Sequence, residues 1–178
     1  SYSQIIDDFE RGNTDILIGT QMVTKGLDFD NVEVVGILNA DSMLKFPDFR
    51  ALERAYQLMS QVAGRAGRKG DRGKVIIQTY DEKHEIIHQV KNHDYLQMCR
   101  KQLEERKIFK YPPYCRIISV NMQHKNENKL DKLSKQFAIS LRKSFGNRVL
   151  GPESPGVSKI RTYYHKNILL KIETEASV

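Results

Sequence analysis

The run Val32-Glu-Val-Val-Gly-Ile-Leu38 decides the fold class, because it is apolar at nearly every position. A strand with one solvent-facing side alternates apolar and polar residues, whereas a strand buried on both faces is continuously apolar. Two further runs have the same character, Asp15-Ile-Leu-Ile18 and Gly73-Lys-Val-Ile-Ile-Gln-Thr79. Helical patterns separate the three runs. They therefore predict an α/β fold, with a mostly parallel sheet and helices on both of its faces.

Helical segments flank these strands. Residues 4–11 show helical periodicity, and Asp48 is expected to cap a long helix over residues 49–63. Three strands are few for a covered parallel sheet, so residues 1–80 resemble the second half of an α/β domain. Since Ser1 is also not a methionine, we expect the chain to be a piece of a longer protein.

The second half of the chain has a different order of elements. One or two helices are predicted over residues 84–108, and Tyr111-Pro-Pro-Tyr114 breaks the helical pattern. The elements predicted beyond it are a strand at 116–122, a helix at 127–145, a strand at 148–150, and two strands at 159–164 and 167–173 joined at His165-Lys166. This order predicts a small split β-α-β layer with a helix on one face. We therefore expect two domains, residues 1–108 and 109–178.

The positive charge is concentrated in the second half. The chain has 29 Lys/Arg and 22 Asp/Glu, a formal net charge of +7. Residues 1–80 contain 10 basic and 11 acidic residues, whereas residues 81–178 contain 19 and 11. Such asymmetry indicates a polyanion as partner for the second half. A lysine-rich surface that only keeps the protein soluble is the alternative.

Several classes of protein are excluded by composition. No run of about 18 uncharged apolar residues is present, so we expect no membrane span, and no apolar stretch follows a basic start as in a secretory signal. Cys99 and Cys115 form no C-x-x-C motif, and the five histidines show no metal-ligand spacing. We therefore expect no metal in these residues and a reducing, cytoplasmic location.

The most specific motif is Gln61-Val-Ala-Gly-Arg-Ala-Gly-Arg68. Gln61, Arg65 and Arg68 are spaced i, i+4 and i+7, so helical geometry places their side chains on one side. The two glycines keep that side free of Cβ atoms, and paired guanidinium groups suit bidentate contact with phosphate oxygens. A helix end with basic residues near its negative dipole is the alternative interpretation.

A second motif is Ile18-Gly-Thr-Gln-Met-Val-Thr-Lys-Gly-Leu-Asp-Phe29. It follows a predicted buried strand, and the carboxyl ends of parallel strands are where α/β proteins place ligands. Thr20 and nearby backbone N–H groups are candidates for holding a phosphate, and Asp28 for accepting a hydrogen bond from a ribose hydroxyl. Taken alone, Asp28 is better explained as an ordinary turn residue.

Together the two motifs resemble motifs V and VI of the superfamily 2 helicases. Five further runs are similar to the PriA family of primosomal replication-restart helicases within that superfamily: Pro47–Leu58, Gly73–Thr79, Tyr111–Tyr114, Leu150-Gly-Pro152 and Leu169-Leu-Lys171. The resemblance covers essentially the whole chain. It implies the second half of a RecA-like helicase lobe, followed by a small α/β DNA-binding domain.

The resemblance also implies roles at a nucleotide clamped between two RecA-like lobes. The implied contacts are Arg65 and Arg68 as arginine fingers, Gln61 as a sensor of the terminal phosphate, Asp28 on the ribose, and Gly26 and Gly64 beside the nucleotide.

DNA contacts are implied in both halves. In the first half they are Thr20, Gln21 and Lys25, along the DNA backbone. In the second half, Lys159, Arg161, Lys166 and Lys171 share the hairpin region with Tyr163 and Tyr164. Basic residues mixed with aromatic ones are typical of surfaces that hold phosphates and stack on bases. Each tyrosine is equally well explained as a core residue. The lysines of the predicted 127–145 helix are expected to form a solvated face.

The implied activity is ATP-driven 3′-to-5′ DNA unwinding in replication restart. Implied partners are single-stranded and forked DNA, primosome proteins and single-strand-binding proteins, with Mg²⁺-ATP as cofactor. The sequence has no G-x-x-x-x-G-K-[ST] loop and no DExH box, and the family's zinc-binding cysteines would lie upstream. We expect the chain alone to be inactive as an ATPase. The alternatives are another superfamily 2 motor (branch-migration or RNA helicase) and a non-enzymatic nucleic-acid-binding module.

Overall fold

The computed structural model describes residues 2–20, 32–64, 66 and 73–174. The chain divides into two compact units, residues 1–102 and residues 103–178. Each unit has its own sheet and is described by itself.

The first unit is built on two parallel strands, β1 (Val34–Ile37) and β2 (Lys74–Ile77). Val34 lies opposite Lys74 and Ile37 lies opposite Ile77, which confirms the predicted parallel pairing. The helices of this part of the chain are α1 (Tyr2–Glu10), α2 (Ala40–Leu44), α3 (Ala51–Ala63), α4 (Glu85–Lys91) and α5 (Tyr95–Ile108), the last of which continues past residue 102.

The core of the first unit lies between one face of this sheet and the helices. Met59 of α3 is 0% exposed and contacts a cluster that includes Ile37, Ile86 and Met98. On the opposite face of the sheet, Ile76 is 50% exposed. The described residues cover one face of this sheet, and the parallel pairing with its packed helices confirms the predicted α/β class.

The strand predicted at residues 15–18 is also absent from the described part. Residues 16–20 have no regular secondary structure, and Ile16 and Ile18 are 74% and 82% exposed. An apolar run becomes a strand only when a neighbouring strand supplies hydrogen bonds. Among the described strands, β1 and β2 pair with each other and leave this run without a partner.

The long helix α3 begins two residues later than predicted. Asp48 nevertheless organises its start, because one carboxylate oxygen accepts a hydrogen bond from the Arg50 N–H at 2.8 Å. The other oxygen lies 2.9 Å from the Arg54 guanidinium. Asp48 thus stabilises the turn before the helix, and Arg50 is the residue at the N-cap position.

The second unit is a four-stranded antiparallel sheet covered by one helix. Its strands are β3 (Cys115–His124), β4 (Val149–Glu153), β5 (Lys159–Ile160) and β6 (Tyr163–Glu173), and α6 spans Glu127–Phe145. β6 lies between β3 and β4, antiparallel to both, and β5 also pairs with β6. Strands β3 and β4 are therefore parallel and joined through α6, which confirms the predicted split β-α-β arrangement.

Helix α6 packs on the sheet and closes the second core. Ala138 of α6 and Ile168 of β6 are both 0% exposed. The helix has the predicted bounds because both ends have local signals. The Asn126 side chain accepts a hydrogen bond from the Lys129 N–H at 3.0 Å, and Gly146 follows the last turn with a φ of +57°.

The turn of the last hairpin lies at Arg161–Thr162, so the predicted turn at His165-Lys166 is wrong. His165 and Lys166 are interior residues of β6 and pair with Gln123 and Met122 of β3. A turn at that point would remove these ladder hydrogen bonds. Arg161 has a φ of +54°, which a two-residue hairpin turn requires.

Among the described helices, none is both long and apolar enough to cross a lipid bilayer.

Candidate functional site

The first candidate site lies at the end of helix α3. Its core-facing side carries Ala55 and Met59, so Gln61 lies on the exposed side. The helix ends at Ala63 with Gly64 as its C-cap, and the Gly64 N–H donates to the Ser60 carbonyl at 3.0 Å. The nearest atom to a Cβ at Gly64 would be 3.5 Å away, so packing does not require a glycine at this position. The missing side chain leaves the helix end open.

The other residues predicted for the nucleotide and for DNA in this half lie outside the described residues. They are Arg65, Arg68, Asp28, Gly26, Gln21 and Lys25. The predicted common side of Gln61, Arg65 and Arg68 therefore stays a prediction. Thr20 is described and exposed.

The carboxyl ends of the two parallel strands are joined by a hydrogen-bond network that the sequence did not reveal. The buried Asp41 carboxylate accepts hydrogen bonds from the Tyr80 N–H at 3.0 Å and the Thr79 hydroxyl at 3.2 Å. These donors, Tyr80 first, hold the pKa of Asp41 below its ordinary value. The Asn39 N–H donates to the Gln78 side-chain oxygen at 3.2 Å. The available signal was the position of Asn39-Ala-Asp41 directly after a buried strand.

The second candidate site is the β5–β6 hairpin. The Lys159 ammonium lies 4.8 Å from the Tyr164 ring centroid and 3.3 Å from its hydroxyl oxygen. The Lys125 ammonium lies 5.7 Å from the Tyr163 ring centroid. Tyr163 is 38% exposed, and Arg161 is exposed in the turn. Basic and aromatic side chains are therefore mixed at this end of the sheet, and Lys125 is a member that sequence reasoning missed.

Lys166 differs from the other predicted DNA contacts, because it lies on the helix-covered face of the sheet. Its ammonium is 3.4 Å from the Asp131 carboxylate of α6, and its side chain is 18% exposed. Asp131 also pairs with Lys135 at 2.6 Å. These two lysines, Lys135 first, lower the pKa of Asp131. The positive charge of Lys166 is thus largely compensated within the second unit.

The lysines of α6 are exposed as expected. Lys171 contacts the segment at the predicted domain junction, near Tyr111–Tyr114. Its ammonium donates to the Phe109 carbonyl at 2.8 Å and lies 3.9 Å from the Tyr111 ring centroid. It therefore fixes the segment before β3.

The described residues contain no group of three or more His, Cys, Asp or Glu side chains arranged to hold a metal ion. Both cysteines are free thiols.

Two family models match this chain. The helicase conserved C-terminal domain matches residues 2–70, which include both sequence motifs and Asp41. The primosomal protein N C-terminal domain matches residues 107–177, which include the sheet of the second unit.

Curated relatives match along almost the whole chain. Replication restart protein PriA of Synechocystis sp. is 38% identical over 173 residues, 96% of this chain and 21% of that protein. The PriA proteins of Bacillus subtilis and Thermotoga maritima are 37% and 38% identical, over 100% and 94% of this chain and 22% of each relative. The chain spans about a fifth of the length of these relatives and matches their C-terminal part. It belongs to the family of replication restart protein PriA.

Proposed function

We propose that this chain is the C-terminal portion of an ATP-dependent 3′-to-5′ DNA helicase that acts in replication restart at stalled or branched forks. The observation that carries the proposal is the union, in one chain, of a helicase C-terminal match and a PriA C-terminal match. The residues divide functionally into 1–108, part of the motor lobe, and 109–178, a DNA-binding domain.

In this proposal the first half supplies one wall of a nucleotide site. ATP, bound with Mg²⁺, would supply the terminal phosphoryl group that is transferred to water. This reaction would drive movement along DNA. Arg65 and Arg68 donate to the phosphate oxygens as negative charge develops, and Gln61 senses the terminal phosphate. Arginine fingers of this kind contribute about 10³–10⁵ in rate. Asp28, with Gly26 and Gly64, lies beside the nucleotide, and Gln61 and Gly64 are at the exposed end of α3.

The rest of the nucleotide site lies in the longer protein, because this sequence has no phosphate loop. The 178-residue chain by itself is therefore expected to show no DNA-stimulated ATPase activity. The family's zinc is likewise expected to bind outside these residues.

DNA is held by both halves. Thr20, Gln21 and Lys25 contact the backbone beside the motor, and Lys159 and Arg161 contact it in the second half. Lys166, which the sequence pattern predicts with them, contributes less because Asp131 compensates its charge. Residues 103–178 contain 15 Lys/Arg and 7 Asp/Glu, a net charge of +8, which supports a polyanion partner. We place the protein in the cytoplasm, with primosome and single-strand-binding proteins as partners.

A non-enzymatic nucleic-acid-binding module is the competing function, and the charge of residues 103–178 is compatible with it. The test joins this chain to the remainder of its protein and measures unwinding of forked DNA together with DNA affinity, with and without Arg68→Ala. A helicase loses unwinding while it keeps most of its affinity. A passive binder shows no unwinding in either form, and Arg68→Ala then lowers affinity and the salt dependence of binding.

A further inference from the structure

The two faces of the antiparallel sheet differ in chemistry. Ile168 and Leu170 of β6 are buried against α6. Because successive side chains of a strand point to opposite faces, His165 and Asn167 lie on the other face. On β3 this second face includes Asn121 and Gln123, which are exposed. We call the hairpin end of this second side, which carries these four residues, the polar face.

The polar face presents pairs of hydrogen-bonding groups. In the register of β3 and β6, Gln123 lies opposite His165 and Asn121 lies opposite Asn167. An amide side chain offers both donors and an acceptor, and a neutral imidazole offers one of each. These are the groups that bind the edges of unpaired bases, which also carry donors and acceptors.

A pocket of about 480 Å³ opens at the hairpin end of the polar face. It is lined by Gln123, Ile160, Arg161, Thr162, Tyr163 and His165. Ile160 and Tyr163 provide apolar surface, whereas the other lining residues provide hydrogen-bonding groups and one guanidinium. An open pocket that combines an aromatic ring with a few polar groups offers both stacking and hydrogen bonds to an unpaired base.

Two cations lie at this pocket. Arg161 lines it, and Lys125 lies over the Tyr163 ring. In the described part of the chain, neither of them forms an ion pair with a carboxylate. Their charge is thus available to an anion, in contrast to that of Lys166.

We propose that this pocket binds one unstacked base of single-stranded DNA. The base stacks on Tyr163, its edge meets Gln123 and His165, and Arg161 and Lys125 contact the adjacent phosphates. The inference deepens the proposed function, on which it rests, by assigning the base-binding site to the polar face rather than to the lysines of α6.

The test compares two labelled probes on the 178-residue chain: an oligothymidylate of about 15 nucleotides and an abasic strand with the same number of phosphates. Tyr163→Leu should weaken binding of oligothymidylate by about tenfold or more, since base stacking is lost. The same change should leave the affinity for the abasic strand nearly unaltered. Gln123→Ala, at an exposed position, should show the same selectivity. If Tyr163→Leu lowers the melting temperature, the result with Gln123→Ala decides the test.

Tyr114→Leu is the matched control, because Tyr114 is 41% exposed and lies outside the pocket. It should bind both probes as the wild type does. If the wild type binds oligothymidylate and the pocket variants bind it equally well, the pocket assignment is wrong while the proposed function stands. If the wild type binds neither probe at low salt, DNA binding by this part of the protein is wrong, and the pocket assignment fails with it.

Discussion

The Asp41 carboxylate accepts a hydrogen bond from the Tyr80 N–H at 3.0 Å, and this bond joins the helix after β1 to the loop after β2. Because β1 and β2 are parallel, both segments leave the sheet at its carboxyl edge. Ligands of α/β proteins bind at this edge. Asp41 therefore holds together the part of the first unit where a nucleotide or DNA site is expected.

We predict that Asp41 makes the first unit sensitive to acid. Its donors hold the folded-state pKa below the ordinary value of 3.8. A carboxyl with a lowered folded-state pKa contributes stability above its unfolded-state pKa, and this contribution is lost as pH falls through the folded-state pKa. Asp41→Asn should lower the melting temperature at neutral pH and should reduce the further loss between about pH 5 and about pH 2. Circular dichroism melts measure both effects, and an unchanged acid dependence would refute the role given to Asp41.

The core of the first unit depends on Met59. This side chain is 0% exposed, so Met59→Ala leaves a cavity and should lower the free energy of unfolding by about 2–5 kcal/mol. Gln57→Ala, on the exposed side of the same helix, should change it by no more than about 0.5 kcal/mol. Urea unfolding of both variants gives the comparison. Equal effects would mean that α3 does not pack as described.

Gly151 is required by the backbone of β4. Its φ is +94°, and a Cβ there would lie 2.8 Å from the Asn167 carbonyl oxygen. Gly151→Ala should therefore destabilise the second unit by about 1–3 kcal/mol. Gly156→Ala is the control, since nothing lies within 4 Å of a Cβ at that position. Hydrogen exchange of the β6 amides should be faster in the first variant and unchanged in the second; unchanged exchange in both would contradict the close approach.

Local signals predicted the elements that carry their own start and stop residues. Helix α6 has the predicted bounds because Asn126 and Gly146 act within one turn of its ends. The parallel pairing of β1 and β2 also followed from their apolar character. The strand at 15–18 failed because apolar character does not supply a pairing partner. The hairpin turn failed because Arg161 adopts a positive φ without being Gly or Asn, and because β6 is fixed by pairing with β3.

The candidate sites were predictable to different degrees. The mixture of basic and aromatic residues at the hairpin was visible in the sequence, whereas the pairing of Lys166 with Asp131 depends on how α6 lies over the sheet. Lys125 is 38 residues from Tyr163 in the chain, so only the fold brings them together. The roles of Arg65, Arg68 and Asp28 rest on the family resemblance and stay predictions.

The hairpin lysines should contribute unequally to DNA binding. Each phosphate contact adds about 0.7 to the salt slope for single strands, so Lys159→Ala should weaken binding and lower that slope by about 0.7. Lys166→Ala should have a smaller effect, because Asp131 already compensates its charge. Anisotropy titrations over a range of salt concentrations measure both slopes. A larger loss with Lys166→Ala would show that DNA displaces the Asp131 contact.

The most direct test of the account is the steady-state ATPase rate of the longer protein at saturating ATP and DNA. Arg68→Ala should lower kcat by about 10³-fold or more while DNA affinity changes little. Arg54→Ala serves as the matched control, since Arg54 lies on the exposed side of α3 and pairs with Asp48, and its kcat should stay near that of the wild type. A kcat for Arg68→Ala within a few-fold of the wild-type value would contradict the assignment of Arg68 to the nucleotide.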